Sequence, residues 1–304
     1  MKKIPFIKYR KTWLALALIT LVIGAGMLLK WGLKPGIDFT GGSLFELSFG
    51  SAAPATEQIE QNIKSQGVEE VIVQRSSDNR FIIRTGFLNE DQHQKVIGAL
   101  RKEFENKDRS LTEDRFETIG ATISQQLRQR SLWAVILVSL SIILYVAFAF
   151  RQVNRPLPSW QYGLIAIITL LYVVVIVGGV FAALGRFKGV EVDVAFVVAI
   201  LTVLGYSVND SIVVYDRIRE NLTRNRIDDF GELVNTGLNE TLARSINTVA
   251  AVLFPLFALY FFGGSTVHYF ALALLLGMAI STISSIFVAS PLLVVAEEWQ
   301  RKKA

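Results

Sequence analysis

Six apolar runs, each close to the roughly 20 helical residues that cross about 30 Å of hydrocarbon, dominate this chain. They cover residues 12–30, 131–150, 162–184, 194–215, 245–262 and 270–295. In lipid every backbone polar group must find a partner within the protein, so runs of this length predict helices. The expected fold class is therefore an α-helical polytopic membrane protein with six transmembrane helices. Composition agrees: 52% of the 304 residues are hydrophobic and the mean hydropathy is +0.43, more apolar than a soluble domain needs. The absence of cysteine excludes disulfides, thiolate metal sites and cysteine nucleophiles. The two histidines, His93 and His268, lie too far apart for metal-ligand spacing. We expect His93 on an exposed helix surface and His268 in an external loop.

The net charge of +5 points away from nucleic acid once the positions of the basic residues are seen. Lys2, Lys3, Lys8, Arg10 and Lys11 precede the first run, Arg151 and Arg155 separate the second and third, Arg217, Arg219, Arg224 and Arg226 follow the fourth, and Arg301, Lys302 and Lys303 end the chain. Of the opposing short loops, the one between the third and fourth runs carries only Arg186 and Lys188, and the one between the fifth and sixth carries no Lys or Arg. The positive-inside rule places the richer side in the cytoplasm, with both termini, residues 1–11 and 297–304, on that side. Gly24-Ala25-Gly26 resembles a small-residue cleavage site, but an uncleaved anchor keeps the span number even, as the basic flanks require.

Residues 31–130 are polar and fall outside by this topology. Strand-like stretches at residues 43–49, 70–75, 81–85 and 115–119 alternate with helical periodicity at 56–66 and 89–104, giving the order β-α-β-β-α-β. That order predicts an inserted α+β ferredoxin-like domain, a shape that by itself carries no function. The other spans form a membrane region over residues 131–296.

No Ser-His-Asp set, phosphate loop or His-Glu-x-x-His helix is present, so the sequence does not read as an enzyme. Chemistry must come from polar residues within apolar helices, where an ionised side chain costs about 2.5 kcal/mol or more. In the fourth run Thr202, Tyr206 and Asn209 recur at i, i+4 and i+7, with Asp210 at i+8, which defines a polar face. Asp210 is either a protonatable carboxylate in a proton path or a group bonding a neighbouring helix near the interface. Arg244, followed by Asn247 and Thr248, is either its partner or a snorkelling anchor at a helix end. Gly277, Ser281, Ser284 and Ser285 share one face and suggest close helix packing. Asp193 marks either a proton inlet or a solvated helix start, and residues 216–243 read as an amphipathic surface segment.

The run Gly36-Ile37-Asp38-Phe39-Thr40-Gly41-Gly42-Ser43 resembles the G-x-D-F-T-G-G signature of SecF in the SecD/SecF family. Gly41 and Gly42 would permit a tight path into the first strand, and Asp38 would cap or bond that turn. Gly205 to Asn221, G-Y-S-V-N-D-S-I-V-V-Y-D-R-I-R-E-N, is similar to the same family, as are the stretches after Arg244, around Phe262-Gly263-Gly264 and from Ser284 to Pro291. The resemblance implies an RND-superfamily fold and pairing with SecD. It also implies work beside the SecYEG translocon in a bacterial cytoplasmic membrane, with YajC or YidC as further candidate partners and an unfolded polypeptide as substrate. It implies no cofactor and no nucleic acid, protons being the coupling ion. It places Asp210 and Arg244 in the proton path, supported by Asn209, Tyr206, Asn247 and Thr248. One departure stands out: many relatives carry a His-Asp pair in the third span, where this chain has Ala166 to Tyr172, leaving only Thr169 and Tyr172 to hold water. An RND-like exporter of lipid or small molecules and a passive scaffold remain as alternatives.

Overall fold

The computed structural model of the chain describes residues 4–50, 53–77, 79–106, 110–149, 157–224 and 229–303. Several basic flanking residues (Lys2, Lys3, Arg151, Arg155 and Arg226), and Ile227 and Asp228 of the proposed surface segment, lie outside them. The first elements are α1 (Arg10–Trp31), α2 (Ile37–Thr40), β1 (Gly42–Phe49), α3 (Thr56–Ser65), β2 (Val71–Ser77), β3 (Arg80–Thr85), α4 (Glu90–Phe104) and β4 (Leu111–Ile119). After these come α5 (Ala121–Ala149), α6 (Ser159–Lys188), α7 (Val194–Arg224), α8 (Phe230–Phe262), α9 (Ser265–Ser284), a π turn (Ser285–Ala289) and α10 (Ser290–Arg301). Two compact units result. A sheet unit holds Lys34–Leu132 and Glu191–Val194, and a helical unit holds Met1–Leu33, Trp133–Val190 and Ala195–Ala304.

In the sheet unit the strand order is β2-β3-β1-β4, with antiparallel neighbours throughout. β1 and β2, joined through α3, are separated by β3, which is the split βαβ arrangement expected from the sequence. Alternation puts Phe45, Leu47 and Phe49 of β1 and Phe81 and Ile83 of β3 on one face, where they meet Ile59 and Ile63 of α3 and Val96, Ile97 and Leu100 of α4. Helix α4 starts at a reciprocal cap: Gln92 N–H donates to Asn89 Oδ1 at 2.9 Å, and Asn89 N–H donates to Gln92 Oε1 at 3.0 Å.

His93 corrects an expectation. It is buried, 6% exposed, because its ring lies flat on Phe116 at 3.7 Å between centroids, with Glu113 of β4 at 2.7 Å from Nε2. The second histidine is not in a loop either. His268 lies within α9 and donates Nδ1–H to the Tyr260 carbonyl at 3.0 Å.

Among the described residues, six helices are long and apolar enough to span a membrane. α1 and α6 touch backbone to backbone: a Cβ on Gly179 would lie 2.6 Å from the Gly24 carbonyl oxygen. The cleavage-like glycine triplet thus contains a packing residue, since only a missing side chain lets two helices approach so closely. Helix starts differ from the apolar runs. α5 begins at Ala121, and α8 begins at Phe230 rather than Ser245. The segment expected on the surface is therefore largely helix, with Phe230, Leu233, Val234 and Leu238 buried. Its apolar stripe packs against protein rather than lying in a headgroup layer, and Asp229 caps it through Gly231 N–H at 2.9 Å.

Candidate functional site

Along α7 the polar stripe divides. Asp210, Ser207 and Ser211 are buried with Val203, Val208 and Val214. Thr202 and Asn209 are exposed and Tyr206 is half-buried. The buried side meets α9 and the π turn in matching register. Gly277 leaves room for Val203, whose methyl groups occupy the place of its missing Cβ, and Ser211 Oγ lies 3.4 Å from Ser285 Oγ. Ser207 therefore comes level with Ser281. The small-residue face predicted in the sixth span thus packs on α7.

The π turn has a local cause. Pro291 has no N–H for the carbonyl four residues back, and the chain accommodates this with a wider turn in which Ser290 N–H bonds the Ser285 carbonyl. Ser290 Oγ donates to the same carbonyl at 3.0 Å. Ser284 and Ser285 donate their hydroxyls to the Ser281 carbonyl at 2.8 and 3.1 Å.

Asp210 sits against this serine cluster. It is 6% exposed, with Ser285 of the π turn and Ser245 of α8 as its hydroxyl neighbours. Its Oδ2 is sealed from solvent without a hydrogen-bond partner, as are Ser207 Oγ and Ser281 Oγ. Such spare polar capacity is uncommon in a protein interior. The group has hydroxyls around it and, among the described residues, no ion pair.

Arg244 does not meet Asp210. It lies within α8, not at a helix end, and is exposed. It lines a cavity of about 300 Å³ with Val213, Asp216, Arg217, Glu220, Glu240 and Thr241. There Arg217 bridges Glu240 at 2.8 Å and Glu220 at 2.5 Å, and Asn221 donates to Glu240 at 2.8 Å. Asn247 and Thr248 are exposed as well. Ser245 was missed by sequence reasoning. One residue from Arg244, it is turned about 100° around the helix, and its phase matches the buried Thr241 one turn earlier. In the third span Thr169 is fully buried and donates to its own helix at Ile165 O, 2.8 Å away. Tyr172 OH lies 2.9 Å from Thr20 Oγ1 of α1.

The glycine signature belongs to the sheet unit. Gly41 has φ +76° and Gly42 φ +115°, conformations that L side chains rarely adopt. A Cβ on Gly42 would stand 2.6 Å from the Thr85 carbonyl oxygen in β3, and one on Gly41 would stand 3.3 Å from Ser124 Oγ. Asp38 does not bond its own turn. Its Oδ2 accepts the Val194 N–H at 2.8 Å, at the first residue of α7.

Comparison with known proteins gives two family matches: "Protein export membrane protein SecD/SecF, C-terminal" over residues 99–299 and "SecD/SecF GG Motif" over residues 29–53. The protein translocase subunit SecF of Thermobaculum terrenum is 39% identical, over 98% of this chain and 95% of that protein. The protein translocase subunit SecDF of Brucella abortus is 35% identical over 96% of this chain, but only 37% of its own length is matched. The crystal structure of SecDF from Thermus thermophilus, a translocon-associated membrane protein, superposes with a TM-score of 0.81 at 32% identity. That match covers 97% of this chain and 39% of that one, so this chain spans about two-fifths of the solved relative. With the glycine turn, the six spans and the four-stranded domain matched together, the chain belongs to the SecD/SecF family of protein export membrane proteins, on its SecF side.

Proposed function

We propose that this chain is the SecF half of a SecD–SecF pair and carries protons through its helical unit by way of Asp210, driving the sheet unit to assist late steps of polypeptide export through SecYEG. Membership of the family makes the chain a component of protein-export machinery and not an enzyme. The basic flanks support cytoplasmic termini and a sheet unit on the opposite side of the cytoplasmic membrane. Pairing with SecD is supported by the relatives in which SecD and SecF carry one joint name, such as that of Brucella abortus.

One observation carries the proton role. Asp210 is buried within a spanning helix, with hydroxyl neighbours and an unpartnered oxygen. A carboxylate kept for packing alone would be expected to hold a cation or a full set of donors, because an uncompensated charge in such a place is costly. A group surrounded by hydroxyls can be neutral or charged with small rearrangement, which suits proton uptake and release.

The test is Asp210→Asn in export-competent membrane vesicles that contain the translocon and the paired subunits. Insertion and co-purification with SecD should match wild type, and proton-gradient-dependent stimulation of export should fall at least tenfold. Undiminished stimulation would refute the proton role.

A further inference from the structure

Residues Glu191–Val194 connect two spanning helices in sequence, yet they belong to the sheet unit. Three kinds of contact hold them there. Val192 pairs with Pro35 in a parallel β-bridge, in which Gly36 N–H donates to Val192 O and Val192 N–H to Lys34 O, both at 2.8 Å. Glu191, with its side chain only 11% exposed, is bound by Arg84 at 2.7 Å and Lys34 at 3.3 Å. Arg84 also donates to Gln74 at 3.0 Å, which ties the connection to β2 and β3. Asp38 then accepts the Val194 amide at 2.8 Å.

A short helix-to-helix connection needs none of this, since a few solvated residues suffice. The amide that Asp38 takes is one of the four that a helix start leaves without an internal partner, and the positive end of the helix favours a carboxylate there. Asp38 reaches it from the opening of the sheet unit: the same short helix, α2, leads through Gly41 and Gly42 into β1. The α7 start is thus bonded to α2, the short helix that leads into β1, while sixteen residues further along the same helix, roughly 24 Å at 1.5 Å per residue, stands Asp210.

We infer that Asp38 is a positioning residue: with the Arg84–Glu191 pair and the Pro35–Val192 bridge it clamps the start of α7 to the sheet unit, so that movement of that unit and a change of state at Asp210 are transmitted to each other along one helix. The inference rests on the proton-driven function proposed above. A continuous helix is a suitable rod, because displacement at one end cannot be absorbed by a flexible joint.

The test uses the full chain with its partner in nanodiscs and proteoliposomes. Asp38→Ala is expected to speed amide exchange in the first turn of α7 at least tenfold, with β1 and β3 unchanged, and to reduce gradient-dependent export stimulation at least fivefold. Asp38→Asn, which keeps an acceptor oxygen, should retain most of both. Because the chain has no cysteine, the pair Pro35→Cys and Val192→Cys, added to Asp38→Ala, can replace the bond with a disulfide. Oxidation should then restore stimulation and reduction remove it again. Stimulation that survives Asp38→Ala while the α7 start exchanges freely, with Asp210→Asn inactive in parallel, overturns the clamp and leaves the proton role standing. Stimulation that survives Asp210→Asn removes the proton role and the clamp with it. Should Asp38→Ala also raise exchange in β1 and β3, Glu191→Gln releases the clamp from its other end and is judged by the same outcomes.

Discussion

Gly42→Ala is the most sensitive probe of how the sheet unit begins. At φ +115° an alanine sits where L residues are strained by about 1–3 kcal/mol. Its Cβ would also lie 2.6 Å from the Thr85 carbonyl oxygen, an atom fixed in the β1–β3 ladder, and shifting that ladder costs about another 1–3 kcal/mol. The expected loss is thus about 2–6 kcal/mol, a large part of the 5–15 kcal/mol that holds a typical domain. Gly41→Ala should cost less, about 1–3 kcal/mol, because its φ is +76° and its near neighbour is the rotatable Ser124 hydroxyl at 3.3 Å. Gly86, where an added Cβ would meet no atom within 4 Å, serves as the control. Native-state hydrogen exchange by mass spectrometry in detergent micelles reads each directly. Slowest-exchanging peptides of β1 and β3 should lose about 25-fold or more in protection for Gly42→Ala, since each 1.4 kcal/mol is tenfold. Protection in Gly42→Ala equal to that of Gly86→Ala would refute the account of the double glycine.

Two more substitutions test packing away from the signature. Gly179→Ala should weaken the α1–α6 contact by about 1–3 kcal/mol in mixed-micelle equilibrium unfolding, whereas Gly26→Ala, which meets no atom within 4 Å, should stay near wild type; equal values would contradict the backbone contact. His93→Ala removes the stack on Phe116 and the donor to Glu113, and should destabilise the sheet unit by about 2–4 kcal/mol, seen as faster exchange in α4 and β4; unchanged exchange would mean the ring is not part of the core.

Much of the sheet unit was legible because its signals are local. Period-two alternation marked the strands, and helical periodicity from residue 89 placed the start of α4 within one residue. His93 was misjudged because its burial is set by a partner strand: Glu113 pairs with Leu47 just after a register shift in β1–β4, and nothing near His93 in sequence announces that. Asp38 was recognised as part of a motif, but its acceptor role spans 156 residues. The start of α8 was misplaced for another reason. Hydropathy weighs suitability for lipid, and residues 230–244 are too polar on one side to register, although their apolar stripe packs well against protein.

The phase of a polar run decides its chemistry, and phase is what the sequence leaves open when neighbours are all polar. Asn209 and Asp210, like Arg244 and Ser245, differ by one residue and so by about 100°. On both helices one member of the pair turns inward and the other is left exposed. The inward members, Asp210 and Ser245, meet each other. The outward ones, Asn209 and Arg244, with Asn247 and Thr248, cannot be satisfied by hydrocarbon. Under the proposed pairing a second set of helices would cover them and supply partners. Arg244 would then act at the junction between the halves rather than as a fixed counter-charge to Asp210, so its loss should disturb assembly of the path while the loss of Asp210 removes the proton carrier itself.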